Sequence, residues 1–192
     1  MLTRLVPPSS LPVDLAEFRS HLWTVFEGHD DDPLLTTLLE AATGRAETIL
    51  ARRLITQTWR ITASGAATGI VLPFGSFQAV SGAAWSVDGS TWTTIDPSLV
   101  TVDTTTVLAV ANIDWSGIDT AKVAAARVDW SCGYGNSPAD VPADIRMAIK
   151  QLAAHWYRLR AATTLDDDEG VAKVVPFAFS ALLHSHRLNF IG

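Results

Sequence analysis

Apolar residues recur every three or four positions at the two ends of this chain and nearer every second position across its middle. That change of period restricts the fold more than any other feature, because a helix repeats every 3.6 residues and a strand alternates its two faces. Near the start, Leu15, Phe18, Leu22 and Phe26 predict a helix from Val13 to Gly28, with Pro12 ahead of it and Asp14 as its N-cap. Asp30-Asp31-Asp32-Pro33 then reads as the cap and first turn of a second helix. Leu34, Leu35, Leu38, Leu39, Ala42, Ala46, Ile49 and Leu50 line its apolar face, which ends before Leu54. Gly44 lies inside, so the helix either packs closely there or breaks.

From Leu54 the helix formers Glu and Lys become scarce and strands are predicted over residues 55–62, 69–72, 77–84, 84–87, 92–95, 100–103, 107–111 and 124–130. Asp88-Gly89-Ser90 is a hairpin signal, since glycine supplies the positive φ of a tight turn. Pro138 to Pro142 marks the return to helix. Ile145, Ala148, Ile149, Leu152, Ala153, Trp156 and Tyr157 form one face of a third helix that ends near Thr163, while Arg146, Lys150, Arg158 and Arg160 project elsewhere. The acidic run Asp166-Asp167-Asp168-Glu169 reads as solvated loop. After it, Val174-Val175-Pro176-Phe177 with Phe179, Leu182 and Leu183 marks a short terminal element. The expected fold class is therefore α+β. Residues 1–58 and 138–192 would make a small helical bundle with a C-terminal arm, and 59–137 an inserted antiparallel β-sandwich or barrel-like module.

Only 18% of the 192 residues are charged, against about 25% in an ordinary soluble domain. Such a surface suits a protein that hides part of itself against partners, although a chain rich in small residues and threonine gives the same figure. The net charge is −6 and no cationic run exceeds Arg52-Arg53, so the basic stripe that a phosphate-gripping protein needs is missing. Cys132 is the single cysteine, which excludes an intrachain disulfide and leaves no Cys/His pattern for zinc. With no signal-peptide pattern and no run of about 20 apolar residues, the expectation is synthesis in a reducing cytoplasm without membrane insertion.

Each candidate for chemistry has a stronger ordinary reading. His184 and His186 would diverge on a helix, where positions two apart do not share a face. The run 166–169 lacks the spacing of a calcium loop. Asp114 and Asp119 could form an acid and base pair, but they fall in a turn-rich segment without a companion His or Lys. Cys132 has no neighbouring base or positive charge in sequence, and Gly133 and Gly135 read as a tight exit from the last strand. No phosphate-binding loop motif is present. The seven tryptophans, at 23, 59, 85, 92, 115, 130 and 156, can serve as core, as interface anchors or as a carbohydrate platform. No catalytic residue, metal or cofactor is expected.

The order of these segments resembles the head-tail connector or adaptor family of tailed phages and phage-derived gene transfer agents. At the N-terminal end the resemblance rests on Pro12-Val13-Asp14-Leu15-Ala16-Glu17, His21-Leu22, Asp30-Asp31-Asp32 with Leu34-Leu35, Ala41-Ala42, Ala46-Glu47 and Arg53-Leu54-Ile55-Thr56-Gln57-Thr58-Trp59. In the middle it rests on Leu72-Pro73 and Gly133-Tyr134-Gly135. At the C-terminal end it rests on Val141-Pro142-Ala143-Asp144-Ile145-Arg146, Ala148-Ile149, Leu152-Ala153-Ala154-His155-Trp156-Tyr157, Arg160, Val175-Pro176-Phe177, Leu182-Leu183 and Arg187. It spans nearly the whole chain. The chain departs from the family at Phe18-Arg19, where a lysine is common nearby, and at Ala161-Ala162, where a glutamate is.

The resemblance implies a structural subunit of a homo-oligomeric ring, commonly a dodecamer, attached beneath the portal protein at the head-tail junction of a virion or phage-like particle. The ring would link the capsid to a downstream neck, stopper or tail-terminator protein and let DNA pass without sequence-specific binding. Arg146, Lys150, Trp156, Tyr157, Arg160, Val175, Pro176, Phe177, Phe179, Leu182, Leu183 and Arg187 are the candidate ring and portal interface. The competing readings are a monomeric adhesion or carbohydrate-binding β module, which needs an exposed aromatic strip, and a hydrolase, which needs a pocket gathering Asp114, Asp119, His155 or the C-terminal histidines.

Overall fold

The α+β architecture is present in the computed structural model, which describes residues 1–22, 31–159 and 177–188. The chain forms two compact units. A sheet unit holds Met1–Ser9, Thr56–Tyr134 and Leu188, and a helical unit holds the described residues of Ser10–Ile55 and Gly135–Arg187.

In the sheet unit, β1 (Leu2–Val6), β2 (Gln57–Ser64), β3 (Gly69–Val71), β4 (Phe77–Ser86), β5 (Thr93–Thr94), β6 (Val100–Asp103), β7 (Val110–Ile113) and β8 (Ala125–Cys132) make two sheets. One has five strands in the order β1-β2-β8-β4-β5, the other three in the order β3-β7-β6, and every pair is antiparallel. β8 alternates strictly. Ala126, Val128, Trp130 and Cys132 are fully buried, whereas Ala125, Arg127, Asp129 and Ser131 are half-buried on the other face. The buried set joins Ile70, Ala111 and Ile113 of the smaller sheet in a single core, so the module is a sandwich.

The hairpin signal at Asp88 is realised with Gly89 at φ +76°. Asp88 Oδ1 accepts from the backbone N–H groups of Ser90 at 2.8 Å and Thr91 at 2.7 Å, which holds its carboxyl well below the usual carboxylate range. The two adjoining strands expected over 77–84 and 84–87 are one strand, β4, because β8 pairs along nearly all of it. Its register against β8 shifts twice, between Phe77 and Ala79 and between Val80 and Gly82.

The N-terminal residues depart from the expectation that 1–58 is helical core. Leu2–Val6 add to β2 as an edge strand, all five of them exposed, so the strand carries none of the buried periodicity that marks a strand in sequence.

In the helical unit, α1 (Leu15–Leu22) begins where expected, with the Glu17 N–H donating to Asp14 Oδ1 at 2.8 Å. Residues 23–30, including Trp23, Phe26 and Gly28, lie outside the described residues. The second helix, α2 (Asp32–Leu50), runs unbroken through Gly44, which is exposed, and ends at Ala51 in the left-handed conformation. Its buried face is Leu35, Leu39, Ala42, Ala46 and Leu50. The third, α3 (Ala143–Leu159), buries Ile145, Ala148, Ile149, Leu152, Ala153 and Ala154, and it packs against α2 and against α4 (Phe177–His184). Gly135 enters this unit where a Cβ would collide with the Asp140 carboxylate, which instead accepts the Ser137 N–H at 2.9 Å. The expected end of α3 near Thr163 and the acidic run 166–169 lie outside the described residues.

Because Trp130 is fully buried at the centre of the sandwich, Trp130→Ala is expected to destabilise the sheet unit by about 3–5 kcal/mol. Denaturant unfolding followed by near-UV dichroism would measure the loss.

Candidate partner-binding surface

The residues that could meet a partner are best found by removing those already committed within their own unit. Arg146 and Lys150 stand one turn apart on α3 and share one side of it. Both turn to Glu17 of α1, with Lys150 Nζ at 2.7 Å from Oε1 and Arg146 Nη1 at 3.5 Å from Oε2. This pairing clamps the short α1 to α3. His21, one turn further along α1, titrates below its ordinary value, first because of burial and then because of the charges of Lys150 and Arg158, with Glu17 opposing them. Arg19 pairs with Asp32 at the start of α2, its Nε 2.9 Å from Oδ1. At the far end of α3, the Tyr157 hydroxyl donates to Asp31 Oδ2 at 2.7 Å.

A second cluster fixes α4. His186 Nε2 lies 2.5 Å from Asp144 Oδ2 at the start of α3, and Arg52 Nε donates to the His186 carbonyl at 3.0 Å. Burial pushes the Asp144 carboxyl up, but His186 and the Ile145 N–H outweigh it and hold the group below its ordinary value. Phe179 and Leu183 of α4 are fully buried, Leu182 is half-buried and Arg187 exposed. Trp156 is half-buried on α3. Thus the structure uses Arg146, Lys150 and Tyr157 for contacts between helices of one unit and Phe179 and Leu183 for its core. Among the described interface candidates, Trp156, Leu182 and Arg187 keep solvent-facing surface without such a contact. Arg160, Val175 and Pro176 lie outside the described residues, as does the side chain of Phe177.

The candidates for chemistry are placed in ordinary roles. Asp114 Oδ1 accepts from the N–H of Ser116 at 2.9 Å and from its hydroxyl at 2.6 Å, contacts that hold its carboxyl below the ordinary value and close a turn. Asp119 caps the 3-10 turn Thr120–Lys122 through the Ala121 N–H and pairs with Lys122 at 3.2 Å. Cys132 is fully buried on the core face of β8. His184 is exposed while His186 is held by Asp144, so the two do not converge. Among the described residues no group of three or more His, Cys, Asp or Glu side chains is placed to hold a metal, and no helix is long and apolar enough to cross a membrane.

No described tryptophan is exposed. Trp130 and Trp115 are buried, Trp59 packs on Phe74 with ring centroids 4.9 Å apart, and Trp92 lies under the Arg127 guanidinium at 4.3 Å. The aromatic strip that a carbohydrate platform requires is therefore missing from the described surface. The sequence reading did not single out Glu17, Asp31 or Asp144 as anchors. Their partners lie 129 and 133, 126 and 42 positions away, and no local spacing reveals such pairs.

The sequence matches no protein-family profile and no curated protein. Solved structures do match over the whole chain. A chain in the neck of a native gene transfer agent particle, computed with C12 symmetry, is 25% identical with a TM-score of 0.74, covering 100% of this chain and 97% of that one. A chain in the neck of an empty gene transfer agent particle, computed with C6 symmetry, is 22% identical with a TM-score of 0.76 and the same coverage. A chain in the virion of the native particle matches equally, at 22% and 0.76. These likenesses bear out the resemblance to the connector and adaptor family carried by the sequence motifs.

Two substitutions test the clamps. Glu17→Gln removes the carboxylate shared by Lys150 and Arg146, and because Glu17 is about a third exposed the expected loss is about 1 kcal/mol in the unfolding of the helical unit. Asp144→Asn should destabilise the docking of α4 near neutral pH. A depressed carboxyl contributes its full stabilisation above the unfolded value of about 4 and loses it as pH falls below that. Wild type and Asp144→Asn should therefore converge in melting temperature in acid, as a pH series of thermal melts would show.

Proposed function

We propose that this chain, which shares the fold of the gene transfer agent neck chains, is a structural subunit of a particle neck that joins the head to downstream neck and tail components. The observation that carries the reading is the likeness over 100% of the chain to a neck chain at 25% identity. That neck was computed with C12 symmetry, which supports a ring of twelve copies here. The portal is the partner on the head side and a stopper or terminator protein the partner on the tail side. Both follow from the family resemblance. The particle would be a virion or a phage-like gene transfer particle, its subunits made in the bacterial cytoplasm.

The surface chemistry fits passive passage of DNA. A net charge of −6 per chain discourages adhesion to phosphate, and several of the cations are already paired with carboxylates of their own unit. Among the described interface candidates, Trp156, Leu182 and Arg187 are those left on the helical unit for portal and ring contacts. Trp and Arg are the residue types that most often anchor an interface, and Leu182 adds an apolar contact beside the buried Phe179 and Leu183.

Mixing the protein with purified portal rings and weighing the complexes by native mass spectrometry tests this directly. Twelve copies per portal ring are expected, and Arg187→Glu should weaken the association at least tenfold without changing the fold. A protein that leaves its portal unbound under conditions that preserve both partners overturns the reading. A free monomer does not bear on it, because ring formation and portal binding are coupled.

A further inference from the structure

Asp88-Gly89 is the single Asp-Gly step in the chain, and no Asn-Gly step occurs. Such a step makes a good turn but is chemically vulnerable. Glycine has no side chain to shield its amide nitrogen, so that nitrogen can reach the carboxyl carbon of the aspartate before it. In the attack the Gly89 nitrogen bonds to Asp88 Cγ and closes a five-membered succinimide. The nitrogen's proton and one carboxyl oxygen depart together as water. Hydrolysis then returns one water to the ring. Opening at Cγ restores aspartate, whereas opening at the backbone carbonyl carbon leaves the chain running through Cγ as isoaspartate. That product lengthens the backbone by one carbon within the turn that joins β4 to β5. Asp88 and Gly89 are both exposed, so water has access and burial gives them no protection.

Both reacting groups meet one hydroxyl. Ser86, at the end of β4, is only 1% exposed. Its Oγ accepts the Gly89 N–H at 2.9 Å and the Asp88 N–H at 3.3 Å, and it donates to Asp88 Oδ1 at 2.9 Å. We infer that Asp88-Gly89 is a site of spontaneous isoaspartate formation that the native hairpin holds shut, with Ser86 as the positioning residue. The hydroxyl ties nucleophile and electrophile to a buried, fixed group, so neither turns toward the other without losing a hydrogen bond. The carboxylate is pinned from its other side as well. Oδ1 takes the N–H groups of Ser90 and Thr91, and Oδ2 accepts the Thr91 hydroxyl at 3.1 Å. These donors hold the carboxyl in its ionised form, from which oxygen leaves poorly. Opening of the hairpin releases both groups at once, so the reaction follows the open population. The inference stands independently of the neck reading.

Ageing the full-length protein in heavy-oxygen water at neutral pH, well below its melting temperature, provides the test. Each passage through the succinimide leaves one heavy oxygen, and peptide mapping with electron-transfer fragmentation separates isoaspartate from aspartate at Asp88. Ser86→Ala removes the hydroxyl from both reacting groups and is expected to react about fivefold faster than wild type or more, with its fold retained. Thr91→Val loses only the hydroxyl on Oδ2 and should stay within about twofold of wild type. Wild type unfolded in urea should react much faster than the native protein. A folded Ser86→Ala protein that ages at the wild-type rate overturns the inference. So does native wild type that ages as fast as the unfolded chain, or Thr91→Val that matches Ser86→Ala. If Ser86→Ala does not fold, Ser86→Cys, close in size with a weaker donor, carries the same comparison, and a wild-type rate in that folded variant overturns the inference equally.

Discussion

The sheet unit depends on the alternation of β8. This strand sits between β2 and β4, so both rows of its backbone groups are satisfied by neighbours, and its side chains divide into two sets. One set closes the sandwich. The other carries Asp129, whose carboxylate grips Arg60 of β2 through two contacts of 2.7 and 2.6 Å, and Arg127, which spreads over Trp92. A one-residue slip would exchange these sets, placing an arginine and an aspartate in the core and a tryptophan outside. Register and burial therefore enforce each other along the central strand. Strands further from it are shorter and less covered, ending in β5 at one edge and β1 at the other.

The helical unit is held by a different means. Its helices pack through small residues such as Ala42, Ala46, Ala148 and Ala153, and charged clamps then fix α1 and α4 on the longer pair. Each of those clamps joins a short helix of eight residues to a longer one, where burial alone is modest because a short helix has few core positions. The same use of charge commits Arg19, Arg146 and Lys150 within the unit, while Arg45, Arg158 and Arg187 stay exposed.

Much of the architecture was legible in the sequence for identifiable reasons. The helices α2 and α3 have wide apolar faces, Asp14 announces the start of α1 and Pro33 that of α2, and Asp88-Gly89 announces a turn that needs positive φ. β1 was not legible, because an exposed edge strand buries nothing and leaves no alternation to read. The two predicted strands that merged as β4 show the converse. Their apparent break at Ala84 came from a run of small residues, which carries little periodic signal, and only the pairing with β8 reveals one continuous strand.

The candidate interface divides along the same line. The sequence by itself determined the order of helices, sheet and helices, the absence of a basic stripe and the family resemblance, because periodicity, composition and motif order are properties of neighbouring residues. Only the tertiary structure decided which of the candidate cations and aromatics are committed to contacts within the helical unit. Lys150 projects from the apolar face in the sequence pattern and Tyr157 belongs to that face, yet both make polar contacts, with Glu17 and Asp31, from segments more than 120 positions earlier. The strength of a charge or hydroxyl contact depends on distance through space, and folding, not sequence spacing, sets that distance.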